Sequence, residues 1–328
     1  MSDLSNKHEI GSIAQVLFDK FGTRMWRKEK DSFLSYCEQE FRNLGYEDGE
    51  IQVQEGKSAL GLKCKNLIVG NPNADVLVTA HYDTPAKNGF IFSFQPIVGE
   101  TASFIIFPFA FFVLFMVIGN FVSRILGVLQ FEIVHLGAWL GISMTVVSVL
   151  GFFIRNKYNH TDNTSGVLGV FDVAKRMAQN PELKSKTAFV LFDHEEIFLP
   201  GLSFGCLGSR LFAKWRKENF PNKEIGKVIN LDCIGNADVL TVISKKKNPI
   251  CDEVLSHFQE KDFNPKQLYS GGADHSSFEC GVSLIYQKRS LLGPLYIPNM
   301  HTNRDRICNI EQVERLGEAV HQYLTEKV

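Results

Sequence analysis

The sequence predicts a three-layer α/β/α domain around a mixed, mostly parallel sheet, interrupted by an inserted two-helix transmembrane hairpin. Short apolar runs alternate with amphipathic helical patterns along most of the chain, which is typical of an α/β domain. The chain has 35 basic and 36 acidic residues, yet residues 102–154 contain only Arg124 and Glu132. Acidic and imidazole side chains also follow several predicted strands, where open α/β sheets bind their ligands.

Each element is predicted from its apolar spacing. Residues 28–44 place apolar side chains on one helical face, and residues 310–326 repeat this pattern near the end of the chain. Short apolar runs bounded by polar residues or glycine are typical of buried strands. The predicted strands are 67–69, 76–80, 188–192, 228–231, 239–243 and 284–286, and the helices between them are 166–179, 209–217 and 251–258.

The two long apolar runs predict a membrane hairpin. Residues 102–123 and 133–154 are each 22 residues long and uncharged, so each helix would cross a bilayer core of about 30 Å. Arg155 and Lys157 outnumber Arg124 in the connecting turn, which places both flanks in the cytosol. The prediction is a two-pass membrane protein whose catalytic domain faces the cytoplasm. The alternative is a buried helical hairpin that acts as a lid or a dimer interface.

The rest of the chain is predicted to form one catalytic domain from residues 1–98 and 156–328, with residues 99–155 as the insert. The net charge of −1 provides no basic field for nucleic acid, so no nucleic-acid partner is expected. The seven cysteines form no C-x-x-C pair, which favours reduced thiols in the cytosol. The N-terminal sequence lacks the pattern of a secretory signal peptide.

Acidic and imidazole side chains occur at or just after the ends of predicted strands and at the start of a helix. Each of them alone has an ordinary structural explanation, such as a cap, a turn or a solvated loop. Together they offer two imidazoles and several carboxylates, which suit a pair of divalent metals with one carboxylate left as a base. These residues are His81, Asp83, Asp162, Glu195, Glu196, Asp232 and His301.

Taken in order, these motifs resemble the co-catalytic dinuclear zinc aminopeptidase family. Its relatives include bacterial leucyl aminopeptidases, glutamate carboxypeptidases and glutaminyl cyclases. The resemblance covers nearly all of the chain outside the hairpin. The matching segments are H-Y-D at 81–83, D-N-T-S-G at 162–166, E-E at 195–196, N-L-D at 230–232, A-D-H-S-S-F at 273–278 and H-T-N-R-D at 301–305.

The resemblance implies a role for each site residue. Asp162 would bridge two divalent metal ions, with His81 and Asp232 on one and Glu196 and His301 on the other. Zinc is the expected ion, and cobalt and manganese remain open. Glu195 would be the general base and Asp83 would orient the His81 ring. The family also implies a cis peptide between Asp162 and Asn163, substrate or oxyanion contacts from Asp274 and His275, and support of His301 by Asp305, for which a helix cap is the alternative.

The implied function is a membrane-anchored zinc-dependent aminopeptidase. It would remove N-terminal residues from peptides through a metal-bridged hydroxide, with Glu195 taking the proton. A peptide substrate and the lipid bilayer are the expected partners, and the oligomeric state is open. The alternatives are a carboxypeptidase, a glutaminyl cyclase or another hydrolase on the same site, or a catalytically dead membrane scaffold. The remaining histidines are expected at the surface: His8, His160, His194, His257 and His321.

Overall fold

A mixed sheet with helices packed on it forms the centre of the molecule. The structure, a computed structural model, describes residues 9–59, 61–87, 94–100, 102–103, 113, 117, 153–196, 198–199, 203–221, 223 and 225–327. The strands of the main sheet are β1 (Ile51–Lys57), β2 (Lys63–Gly70), β3 (Val76–His81), β4 (Thr187–Phe192), β7 (Lys227–Leu231), β8 (Val239–Ser244), β9 (Lys266–Tyr269), β10 (Gly281–Arg289) and β11 (Leu295–Tyr296). Their order in the sheet is β1-β2-β4-β3-β7-β10-β8-β9, and β11 pairs with β10.

The four central strands run parallel. Strand β3 pairs in parallel with β4 and β7, and β7 pairs in parallel with β10. Their carboxyl ends therefore lie at one edge of the sheet. A separate two-stranded hairpin consists of β5 (Phe198–Leu199) and β6 (Ser203–Phe204).

Alternate residues of the central strands pack on opposite faces of the sheet. In β3, Val76 and Val78 join the larger core cluster, whereas Leu77 joins a second cluster with Phe212. Helices thus cover both faces, as expected for strands that are buried on both sides. The helices are α1 (Ile10–Lys20), α2 (Arg27–Asn43), α3 (Gln95–Val98), α4 (Gly166–Met177), α5 (Pro181–Lys186), α6 (Leu207–Asn219), α7 (Pro249–Glu260) and α8 (Ile310–Lys327).

The predicted mixed α/β fold is confirmed. Each predicted strand lies within an observed one, but the patterns do not predict the two-residue strands β5, β6 and β11 or the longer strands β1 and β9. Both lie at the ends of the sheet order and expose about every second residue, so they lack a continuous apolar run. The division into residues 1–98 and 156–328 with an insert at 99–155 stays a prediction.

The predicted two-pass membrane localisation is corrected here. Within the described ranges, no helix is long and apolar enough to cross a membrane. A crossing needs about 20 consecutive apolar residues, whereas α8 has 18 residues and carries charges such as Glu311 and Arg315. The two predicted membrane helices, about 102–123 and 133–154, lie almost entirely outside the described residues.

We expect Phe171→Ala to lower the free energy of unfolding by about 3–5 kcal/mol, because a buried aromatic ring leaves a cavity that the core cannot fill. Phe171 is 0% exposed, and its ring centroid lies 4.8 Å from that of Phe41. Chemical denaturation measures the change. Leu291→Ala is the matched control, since Leu291 is 81% exposed and should change stability by less than about 0.5 kcal/mol. Equal losses in both variants would contradict the core assignment.

Candidate metal centre

The sheet brings the predicted ligands together at its carboxyl edge. His81 is the last residue of β3, Asp232 directly follows β7, and Glu195 and Glu196 follow β4 after a two-residue turn. Since β3 pairs with both β4 and β7, these three chain segments end side by side. His301 and the turn before α4 add the remaining donors.

The donors form two groups that share Asp162. In the first, the ligand atoms of His81, Asp162 and Asp232 lie within 4.8 Å of one another. In the second, those of Asp162, Glu196 and His301 do the same. One oxygen of Asp162 lies 3.5 Å from His81 Nε2, and its other oxygen lies 3.2 Å from His301 Nε2. Asp162 is therefore the residue that the two donor groups have in common.

The backbone around Asp162 is fixed from two directions. The Asp305 carboxylate accepts hydrogen bonds from the N–H groups of Thr161 and Asp162, at 2.9 and 3.0 Å. A Cβ at Gly166 would lie 2.3 Å from the Leu231 carbonyl oxygen, so only glycine permits this close approach of α4 to β7. The Asp162–Asn163 peptide is cis, as the family resemblance implied.

Asp83 anchors the turn that carries the paired glutamates. Its two carboxylate oxygens accept the N–H groups of Glu195 and Glu196, at 3.0 and 3.1 Å. The His81 Nδ1 atom lies 3.2 Å from the Asp83 carbonyl oxygen and 3.6 Å from its carboxylate. Asp83 thus contacts the His81 ring and also binds the glutamate turn, a contact that the motif spacing did not reveal; its role in orienting the ring stays a prediction.

Burial and mutual repulsion set the electrostatics of the paired glutamates. Burial raises the pKa of Glu195 well above its usual value, and the neighbouring charge of His81 only partly opposes this. Burial also raises the pKa of Glu196 to about 7, with Asp162 adding to the shift. For Asp83, burial alone would raise the pKa, but the Lys30 ammonium and the His81 ring lower it overall.

Asp274 and His275 lie beside this cluster in a short helical turn, Asp274–Ser277. Asp274 is 1% exposed, and neither of its oxygens accepts a well-formed hydrogen bond from the described part of the chain. Burial raises its pKa to about 7, although the nearby Ser209 hydroxyl favours the charged form. The His275 ring contacts the Ser283 hydroxyl at 2.7 Å and the Ser270 carbonyl oxygen at 3.0 Å, so its substrate contact stays a prediction.

These donors fit a divalent cation. Asp162 Oδ2 is buried and lacks a well-aligned hydrogen bond within the described residues, although His301 Nε2 lies 3.2 Å away. Burial alone would lower the pKa of His81 and of His301, but the surrounding carboxylates raise both well above the ordinary value. The negative charge of these carboxylates thus favours the protonated form of both imidazoles. A cation held by imidazole and carboxylate donors would neutralise the same negative charge.

The site opens into a cavity of about 1100 Å³. Its walls include the ligands above and several residues that the sequence patterns did not single out. Among these are Lys30, Glu100 and Cys206, whose Sγ lies 3.7 Å from Glu195 Oε1. The prediction of surface positions is wrong for His194 and His257, which are 6% and 2% exposed.

The family is established by sequence comparison. A sequence model of peptidase family M28 matches residues 154–324, more than half of the chain. The chain belongs to peptidase family M28. Peptidases of this family bind zinc, and membership confirms the predicted enzyme class of metallopeptidase hydrolases. A comparison with curated proteins gives no match.

Solved structures share the M28 fold at low identity. The glutaminyl cyclase of Porphyromonas gingivalis matches with a TM-score of 0.62 and 17% identity, over 99% of this chain and 100% of that one. The LapA aminopeptidase of Legionella pneumophila matches with a TM-score of 0.60 and 12% identity, over 99% of this chain and 71% of that one. At these identities the likeness shows the fold alone.

We expect zinc to raise the thermal stability of metal-stripped protein, because a ligand that binds only the native state adds about 2.7 kcal/mol at 100 times its Kd. Asp162→Asn should remove most of this increment, since it weakens both donor groups. Asp172→Asn is the control: Asp172 is 3% exposed but pairs with Arg176 at 2.8 Å, away from the cluster. Thermal unfolding with and without zinc measures the increment. An undiminished increment in Asp162→Asn would contradict the shared-ligand geometry.

Proposed function

We propose that this M28 protein is a dinuclear zinc aminopeptidase that hydrolyses the N-terminal peptide bond of peptides. The observation that supports this most strongly is the pair of three-residue donor groups that share Asp162. Three protein ligands per ion leave a coordination position open, which is typical of catalytic rather than structural zinc.

A bound divalent cation supplies Lewis acidity that lowers the pKa of water and polarises a peptide carbonyl. In the proposed mechanism, Glu195 accepts the proton of the attacking water and passes it to the leaving amine. Its position suits that role, since a Glu195 oxygen lies within 4.8 Å of the ligand atoms of His81 and Glu196. Asp83 holds Glu195 in place through its hydrogen bond to the Glu195 N–H.

The surroundings of the metal centre suggest how a peptide N terminus is recognised. Asp274 lies in sequence between two residues that line the cavity, Ala273 and His275, and is a buried carboxylate without a strong partner, close enough to Glu195 to raise its pKa. An ammonium group would satisfy Asp274, so we assign it the orientation of the substrate amine. A separate apolar cluster lines the same cavity and would receive an apolar N-terminal side chain; it contains Cys233, Ile243, Leu268, Ile285, Ile297 and Met300.

We expect Glu195→Gln to retain metal and to lower kcat by about 10²–10⁴-fold, because the amide cannot take a proton. Metal analysis and steady-state kinetics on an aminoacyl reporter measure the two effects. Glu279→Gln is the control, since the Glu279 side chain is 82% exposed and lies outside the cavity walls. Activity at the wild-type level in Glu195→Gln would remove Glu195 as the base.

A substrate panel separates the proposed activity from its alternatives. We expect peptides with a free N-terminal leucine to be cleaved about 10-fold or more faster than those with N-terminal aspartate, because the apolar cluster in the cavity favours a leucine side chain over a charged one. Acetylated peptides should react far more slowly. Product analysis by mass spectrometry also detects loss of ammonia from N-terminal glutamine, the product of a cyclase. Equal rates for blocked and free peptides, or cyclisation without hydrolysis, would contradict the assignment.

A further inference from the structure

A buried lysine from the N-terminal region contacts the glutamate turn. Lys30 lies in α2 and is 1% exposed. Its Nζ atom lies 2.6 Å from Asp193 Oδ1 and 3.2 Å from His194 Nδ1, the two residues directly before Glu195. Lys30 also lines the catalytic cavity, although it is distant in sequence from every motif.

The contacts of the His194 ring determine which of its two nitrogens carries the proton. His194 Nε2 lies 2.8 Å from the Lys63 carbonyl oxygen, which can only accept, so Nε2 carries the proton. The Lys30 ammonium can only donate, so His194 Nδ1 accepts from it. The His194 ring therefore connects Lys30 to Lys63 at the start of β2. His194 also has a φ of 58°, a left-handed conformation that persists in a non-glycine residue when its surroundings hold it.

The rest of the turn is held by other contacts. The carbonyl oxygens of Asp193, His194 and Glu195 accept N–H groups from the first turn of α6 and its cap, at 2.9–3.1 Å. On the opposite side, Asp83 accepts the N–H groups of Glu195 and Glu196. The side chains of Asp193 and His194 are thus the part of the turn that Lys30 secures.

We propose that Lys30 is a positioning residue that holds the Asp193–Glu196 turn so that Glu195 and Glu196 face the metal centre. The inference rests on the proposed function, in which Glu195 is the base and Glu196 a ligand. Lys30 contacts neither of them and acts through Asp193 and His194. Removing a residue that orients a metal ligand without contacting the metal itself typically costs about 10–100-fold in activity or metal affinity.

The alternative is that Lys30 only neutralises the buried Asp193 carboxylate. Lys30→Met alone would remove the buried ammonium from the Asp193 carboxylate, which would keep Arg27, at 3.3 Å, and the Lys65 N–H as partners. Because a buried charge that loses a partner is strongly destabilising, loss of activity in this single variant would not distinguish a misplaced turn from unfolding. The double variant Lys30→Met with Asp193→Asn removes both charges. The amide introduced at position 193 keeps an oxygen that accepts the Lys65 N–H. A role in charge neutralisation alone predicts that this variant regains wild-type behaviour.

The decisive experiment compares the wild type, the double variant and Arg27→Met. Arg27 contacts the same Asp193 carboxylate from the same helix, but its side chain is 33% exposed. We expect the double variant to keep a melting temperature near that of the wild type while kcat falls about 10-fold or more with little change in KM, because proton transfer depends on the position of Glu195. Arg27→Met should change kcat less than about 2-fold.

Hydrogen exchange of the metal-free proteins gives a readout independent of turnover. We expect amides in segment 193–196 to exchange at least about 10-fold faster in the double variant than in the wild type. Wild-type kcat together with unchanged exchange in the double variant would overturn the inference. Failure of the proposed function has a different signature, an inactive wild type, and the exchange comparison then still decides whether Lys30 holds the turn.

Discussion

Repulsion among buried carboxylates is the constraint on which the rest of this site depends. Two unit charges 4 Å apart interact by about 4 kcal/mol at an effective dielectric constant of 20. Oxygens of Asp162 lie within 4.8 Å of an oxygen of Asp232 and of an oxygen of Glu196. The fold meets the constraint with the imidazoles of His81 and His301 and with backbone N–H groups. We propose that two divalent cations neutralise most of the remaining charge.

The scaffold explains why these charges stay in place. The paired glutamates lie between two sets of backbone hydrogen bonds, one to Asp83 and the other to α6. Asp305 holds the backbone of Asp162 in a similar way. The sequence match to family M28 begins at residue 154, so His81 and Asp83 lie before it and reach the centre through the pairing of β3 with β4 and β7. Strand β3 therefore belongs to the same sheet as the strands of the matched region.

Apolar periodicity predicted the central strands of the sheet, and the order of the motifs predicted the candidate ligands that follow them. The central strands are continuous apolar runs because both of their faces are buried, and the donors at their ends follow from the family resemblance. The apolar spacing of α2 did not single out Lys30, which is buried against Asp193, a partner 163 residues away that only the tertiary structure shows. The sequence did not reveal the contacts of Asp83 with the glutamate turn either, because these segments are distant in sequence and only the tertiary structure brings them together. The apolar runs at 102–154 resemble membrane spans in composition, but composition alone does not establish a membrane crossing.

The most direct test of the central claim is anomalous X-ray diffraction at the zinc absorption edge from crystals of the zinc-loaded protein. Two peaks about 3.5–4 Å apart, as in other two-metal sites, with the Asp162 carboxylate between them, would agree with this account. A single zinc ion without Asp162 as a ligand, or zinc bound only elsewhere on the molecule, would contradict it.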